Sequence, residues 1–142
     1  MQTIIIFFFS IISSYAATSC PDLHGHYDCV EIDNEGYKIV YRMQIEQTGS
    51  TYEIISDGET MGSYTADGLS KPISTGFFDI SAKATCLDNT LVITNERVNS
   101  ENGNIDFAIK VTMEKSDYGL QQITEFGKSK LAFGSEAKCI KL

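Results

Sequence analysis

The chain has no tryptophan, two prolines and two histidines, and its positive charge is scarce. Lysine and arginine together number 11 against 19 aspartates and glutamates, a net charge of −8. Such an acidic surface repels nucleic acid and anionic lipid, so neither is expected as a partner. No apolar run approaches the roughly 20 residues that a membrane-crossing helix needs, so no stable membrane span is expected. The histidines, His24 and His26, flank Gly25 and would lie on one side of an extended chain, but no third ligand is identifiable and no metal is expected. There is no Gly-x-Ser-x-Gly, no phosphate loop, and no calcium loop around Asp33-Asn34-Glu35-Gly36. The many carboxylates, Glu31, Asp33, Glu35, Asp57 and Glu59 among them, are expected to be solvated. With no assembled acid, base and nucleophile, no catalytic residue and no cofactor are expected, and the chain is not expected to be an enzyme.

What is present begins at the N-terminus. Ile4 to Ile12 is apolar but for Ser10, and Ser13, Ser14, Ala16, Ala17 and Ser19 follow it. A short apolar core ahead of small residues predicts a signal peptide over residues 1–19, although no Lys or Arg precedes the core. A buried N-terminal strand is the alternative. Small residues at Ser14 and Ala16 suit cleavage after Ala16, and cleavage after Ser19 also fits. Residues 20–142 then form a single domain, secreted or periplasmic. Ala17-Thr18-Ser19-Cys20 loosely matches a lipobox, which would anchor the protein through a lipid on Cys20. The four cysteines, Cys20, Cys29, Cys86 and Cys139, favour two disulfides instead, because lipidation would leave an odd number. No pair has the CxxC spacing of a zinc site.

The rest of the chain reads as strands. From Tyr37 to Glu46 the odd positions Tyr37, Ile39, Tyr41, Met43 and Ile45 are apolar or aromatic, and the even positions are nearly all polar. From Asn104 to Glu114 the same alternation places Ile105, Phe107, Ile109, Val111 and Met113 on one face. A period of two means a strand with one buried face. Weaker strands are predicted over His26–Ile32, Tyr52–Ser56, Thr60–Thr65, Phe77–Cys86, Thr90–Val98, Leu120–Phe126 and within Leu131–Leu142. Short turns such as Asp57-Gly58, Leu87-Asp88-Asn89 and Glu101-Asn102-Gly103 separate them. Eight to nine consecutive strands imply an all-β antiparallel up-and-down meander. Closure into a barrel would remove its exposed edges, with a two-sheet sandwich as the alternative. The longer stretch Gly68–Gly76 is expected to be a loop, either a lid or contact loop or a plain connection.

The mature N-terminus reads Cys20-Pro21-Asp22-Leu23-His24-Gly25-His26-Tyr27-Asp28-Cys29. Its Leu23-x-Gly25-x-Tyr27 core resembles the opening Gly-x-Trp signature of lipocalins, avidins and related calycin barrels, with Tyr27 in place of Trp. The resemblance covers about five residues and the strand count. It implies that Gly25 lets the entering chain turn tightly and that Tyr27 plugs one end of a barrel. A second resemblance is to small exported inhibitors of lysozyme and metalloproteases, through Tyr27-Asp28-Cys29 and Cys139; Met61-Gly62-Ser63-Tyr64 differs in order from their contact motif and carries no contact residue over.

The expected interior is formed by Tyr27, Tyr37, Ile39, Tyr41, Met43, Ile45, Ile105, Phe107, Ile109, Val111 and Met113. These side chains could fill an eight-stranded barrel or line a cavity for one small apolar ligand. The two functional expectations follow: a carrier of a small apolar ligand, or a secreted module that binds another extracellular protein through loops such as Leu69–Gly76. Barrel topology brings the last strand beside the first, and the pairing it favours is Cys20–Cys139 with Cys29–Cys86.

Overall fold

The computed structural model describes residues 19–74, 79–99, 101–128 and 133–142. The proposed signal peptide therefore lies outside the described residues, apart from Ser19, as do Phe77, Phe78 and Leu131. No described helix is long and apolar enough to cross a membrane.

Among the described residues ten strands follow one another: β1 (Gly25–Asp33), β2 (Lys38–Thr48), β3 (Thr51–Ser56), β4 (Glu59–Thr65), β5 (Lys71–Ser74), β6 (Asp79–Leu87), β7 (Thr90–Val98), β8 (Ile105–Ser116), β9 (Gly119–Gly127) and β10 (Phe133–Lys141). They form one antiparallel sheet in the order β4-β3-β2-β1-β10-β9-β8-β7-β6-β5. The expected all-β meander is thus present, curled into a half-barrel, with β1 beside β10. Its two edges, β4 and β5, do not pair with each other. The β4–β5 connection spans this seam, and Gly68 N donates to Ala84 O of β6 at 2.9 Å.

The strand count exceeds the expected eight or nine because Lys71–Ser74, read as part of a loop, pairs with Ala82 to Asp79 as an edge strand. Pro72 obscures it in the sequence. Proline cannot donate to a ladder, yet an edge strand needs partners on one side only. The turns behave as their residues dictate. Asp57 and Gly58 take φ of 48° and 84°, and Asp88 and Asn89 take 49° and 61°, the two successive positive values that suit a tight hairpin.

Successive residues alternate between the inside and outside of the curl, and the inside differs from end to end. At the end where β1 begins, Leu23, Ile45, Tyr52, Leu91 and Leu120 are wholly buried and form a packed floor. The residues before β1 cross beneath this floor. Tyr52 Oη and Gln47 Nε2 both donate to Pro21 O, at 2.7 and 3.1 Å, and Leu23 N donates to Gln47 Oε1 at 2.8 Å. Tyr27 Oη donates to Leu23 O at 2.7 Å. Gly25 sits at φ 152°, and a Cβ there would come within 2.7 Å of Lys141 Cε. Gly25 thus stands at the entry to β1 with a positive φ, and Tyr27 is buried at that end of the curl.

The disulfide pairing corrects the sequence expectation. The bonds are Cys20–Cys86 and Cys29–Cys139. Placing β10 beside β1 was right, but register decides the partner: Cys29 lies directly opposite Cys139, with Cα atoms 4.0 Å apart. Cys20 precedes β1, passes under the floor with the N-terminal segment, and meets Cys86 near the end of β6. One bond joins the first strand to the last, and the other ties the crossing segment to the far wall.

Candidate functional site

Above the floor the interior opens into a cavity of about 460 Å³. One wall comes from β2, β3 and β4 through Ile39, Tyr41, Met43, Ile54, Ser56, Met61 and Tyr64. The facing wall comes from β7, β8 and β9 through Ile93, Asn95, Ile109, Val111, Met113 and Gln122, with Glu31 of β1 and the turn residue Asp57 completing the lining. Met61 is the extra residue of a bulge, since Ile54 pairs with Gly62 and Ile55 with Thr60.

Six of the residues read as interior line this cavity: Ile39, Tyr41, Met43, Ile109, Val111 and Met113. Tyr27 and Ile45 belong to the packed floor, 2% and 0% exposed. Tyr37 and Ile105 lie at the opposite end and are 66% and 48% exposed, and Phe107 is half-buried outside the lining. One alternating face therefore has three fates along its length: floor, cavity wall and rim. Alternation reports which side a residue faces but not its depth.

The polar members were not singled out from the sequence, where Glu31 and Asp57 read as solvated carboxylates. A signal for them exists. Glu31 shares parity with the inward Tyr27 and Cys29, Asn95 with Leu91 and Ile93, and Gln122 with Leu120. Glu31 accepts a hydrogen bond from Ser135 Oγ across the β1–β10 pair. Gln122 Nε2 donates to Thr124 Oγ1 at 3.3 Å. Asp57 Oδ1 accepts from Arg42 N at 2.9 Å, which fixes the hairpin at the rim.

Two polar atoms in the cavity are left over. Tyr41 Oη and Asn95 Oδ1 are buried and make no well-formed hydrogen bond. The Tyr41 hydroxyl is close enough to Glu31 and Gln122 to feel both; burial, and then the charge of Glu31, push its pKa well above the ordinary tyrosine value. An unsatisfied buried polar atom costs on the order of 1–3 kcal/mol, a cost that a hydrogen-bonding group placed beside it would relieve.

A second depression of about 600 Å³ lies on the outer face, where His26, Arg42, Gln44, Ile55 and Leu142 come together. It draws on β1 to β3, the Asp57-Gly58 turn and Leu142, with no wall facing them, whereas the interior cavity has two facing walls. His24 and His26 do not form a joint site: His24 Nε2 is 3.8 Å from Glu46 Oε2, and His26 lies in the outer depression. Among the described residues, no group of three or more His, Cys, Asp or Glu is arranged to hold a metal.

No family model and no curated protein matches the chain. It is similar to the solved structure of EF1p2_mFAP2b bound to DFHBI, with 13% identity and a TM-score of 0.46, over 84% of this chain and 94% of that one. It is also similar to a redesigned β-barrel, with 13% identity and a TM-score of 0.44, over 84% of this chain and 91% of that one.

Proposed function

We propose that this protein is an exported, non-enzymatic binding barrel that holds one small, largely apolar molecule inside the curl of its sheet. The observation that carries this is the cavity of about 460 Å³ between two facing walls, lined mainly by Ile, Val, Met and Tyr. That volume lies within the range of small-molecule sites, and a mostly apolar lining with a few convergent polar atoms is their usual composition. The plugged floor and the Leu23-x-Gly25-x-Tyr27 entry support a barrel of lipocalin-like type. Two disulfides suit an oxidising compartment, which agrees with a signal peptide over residues 1–19 and a secreted or periplasmic location.

Nile red, a neutral apolar dye, tests the proposal. Its fluorescence should rise on titration to a one-to-one end point and be displaced by a medium-chain alcohol. Val111→Trp, which fills the cavity from the β8 wall, should abolish the signal while leaving the circular dichroism unchanged. Dye binding that survives Val111→Trp would move the site elsewhere and defeat the proposal.

A protein-binding role is the second reading. It rests on apolar side chains exposed on the outside of β1, β2 and β10: Ile32 at 51%, Val40 at 67% and Ile140 at 60%. Val40→Lys with Ile140→Lys would abolish capture of a partner under that reading and leave dye binding intact.

A further inference from the structure

The polar atoms of the cavity are biased towards accepting hydrogen bonds. Glu31 is acceptor-only when ionised and keeps lone pairs beyond the one used by Ser135 Oγ. Asn95 presents a buried carbonyl oxygen with no donor. Gln122 donates one of its two amide N–H groups to Thr124 Oγ1 and also carries a carbonyl oxygen that can accept. Asp57 adds a second carboxylate at the rim. The lining contains no Lys, Arg or His among the described residues. The next position on the inward face of β7 towards the mouth is Arg97, and its guanidinium lies 2.6 Å from Asp106 Oδ2, which neutralises it. An anionic head group would meet Glu31 and Asp57 with no cation to offset them. A protonated amine would find a carboxylate and unmet oxygens on both walls.

We propose that the cavity selects an apolar amine: a ligand whose hydrocarbon or aromatic body lies against Met43, Ile93, Val111 and Met113, and whose ammonium group is held by Glu31 with help from Asn95 Oδ1 and Tyr41 Oη. The apolar body supplies most of the affinity by leaving water, and the charge-assisted hydrogen bond to Glu31 supplies the discrimination. This rests on the binding role proposed above and names the ligand class for the same cavity.

The test compares dodecylamine, dodecanol and dodecanoate, each below its micelle concentration, as competitors of Nile red on the full-length mature protein. The amine should displace the dye at a concentration about tenfold or more below that of the alcohol, the difference expected for one charge-assisted hydrogen bond, and dodecanoate should be the weakest. Glu31→Gln should bring the amine to within a few-fold of the alcohol and leave the alcohol unchanged. Asn95→Leu, which removes the unmet acceptor and keeps the number of side-chain heavy atoms, should weaken the amine selectively and covers the case in which Glu31→Gln fails to fold. Glu53→Gln, on the exposed face of β3, should leave the order unchanged and so exclude simple attraction to the acidic surface. Equal displacement by amine and alcohol, or preference for dodecanoate, would overturn the amine assignment while leaving the binding role intact. Failure of all three compounds and of the dye to bind would instead remove the binding role itself.

Discussion

Tyr27 and Tyr52 each place a phenol in the packed floor and donate from it to the backbone of the crossing N-terminal segment. They differ in what their removal leaves behind. Pro21 O, the acceptor for Tyr52, also receives Gln47 Nε2, whereas among the described residues Leu23 O accepts from Tyr27 Oη alone. Tyr52→Phe should therefore cost about 1 kcal/mol, the net worth of one hydrogen bond, and Tyr27→Phe about 1–3 kcal/mol, because a buried carbonyl is left without a donor. Urea unfolding of the two variants checks the order; a larger loss for Tyr52→Phe would contradict it. The same burial sets an alkaline limit. Burial first, and the charge of Asp22 second, raise the pKa of both phenols, and Tyr41 is raised by burial and by Glu31. Each therefore stays neutral in the folded protein to a higher pH than in the unfolded chain. The stability this contributes is complete below about pH 10, where unfolded tyrosine is still protonated, and is lost as the pH rises through the folded values. Unfolding free energy measured across that window should fall in the wild type and fall less steeply when Tyr41 is replaced by Phe.

At the scale of elements, the alternation along Tyr37–Glu46 and Asn104–Glu114 was legible because each strand shows one face to the interior and one to water over more than four successive pairs. Those runs became β2 and β8 with shifts of one or two residues at their ends. β5 was not legible, since four residues containing a proline carry no period. The disulfides were not legible either. Parity said that Cys29 and Cys86 could both face inward, but pairing depends on register between strands far apart in sequence, which only the hydrogen-bonded ladder fixes. The Cys29–Cys139 bond spans a sequence separation of 110 and joins the strands that bring the chain's ends together. Replacing both cysteines by Ala should cost about 4–5 kcal/mol on chain-entropy grounds. Replacing Cys20 and Cys86 instead should release the crossing segment and expose Leu23, while the β1–β10 ladder persists. Peptide mapping without reduction should recover Cys20 linked to Cys86 and Cys29 linked to Cys139; a Cys20–Cys139 peptide would contradict the register described here.

Over the whole molecule, the proposed binding role depends on a division of the interior along its length. Leu23, drawn under the sheet by the segment tied through Cys20, lets large side chains close one end, so the inward residues further along β2, β7 and β8 have nothing to pack against except one another across a void. The apolar part of that lining could be anticipated from alternation, and six of its members were. The polar part could not, because Glu31, Asn95 and Gln122 are ordinary surface residue types and only their shared parity with floor residues marks them as inward. Methyl-resolved NMR during titration with dodecanol distinguishes an occupied cavity from an empty one, because the floor and the cavity carry separate methyl groups. If the ligand enters the cavity, saturable shifts are expected at Met43, Ile93, Val111 and Met113, with Leu23, Leu91 and Leu120 of the floor nearly still. Shifts confined to the outer-face residues Val40 and Ile140, or no saturable shift at the cavity methyls, would contradict the proposed binding role.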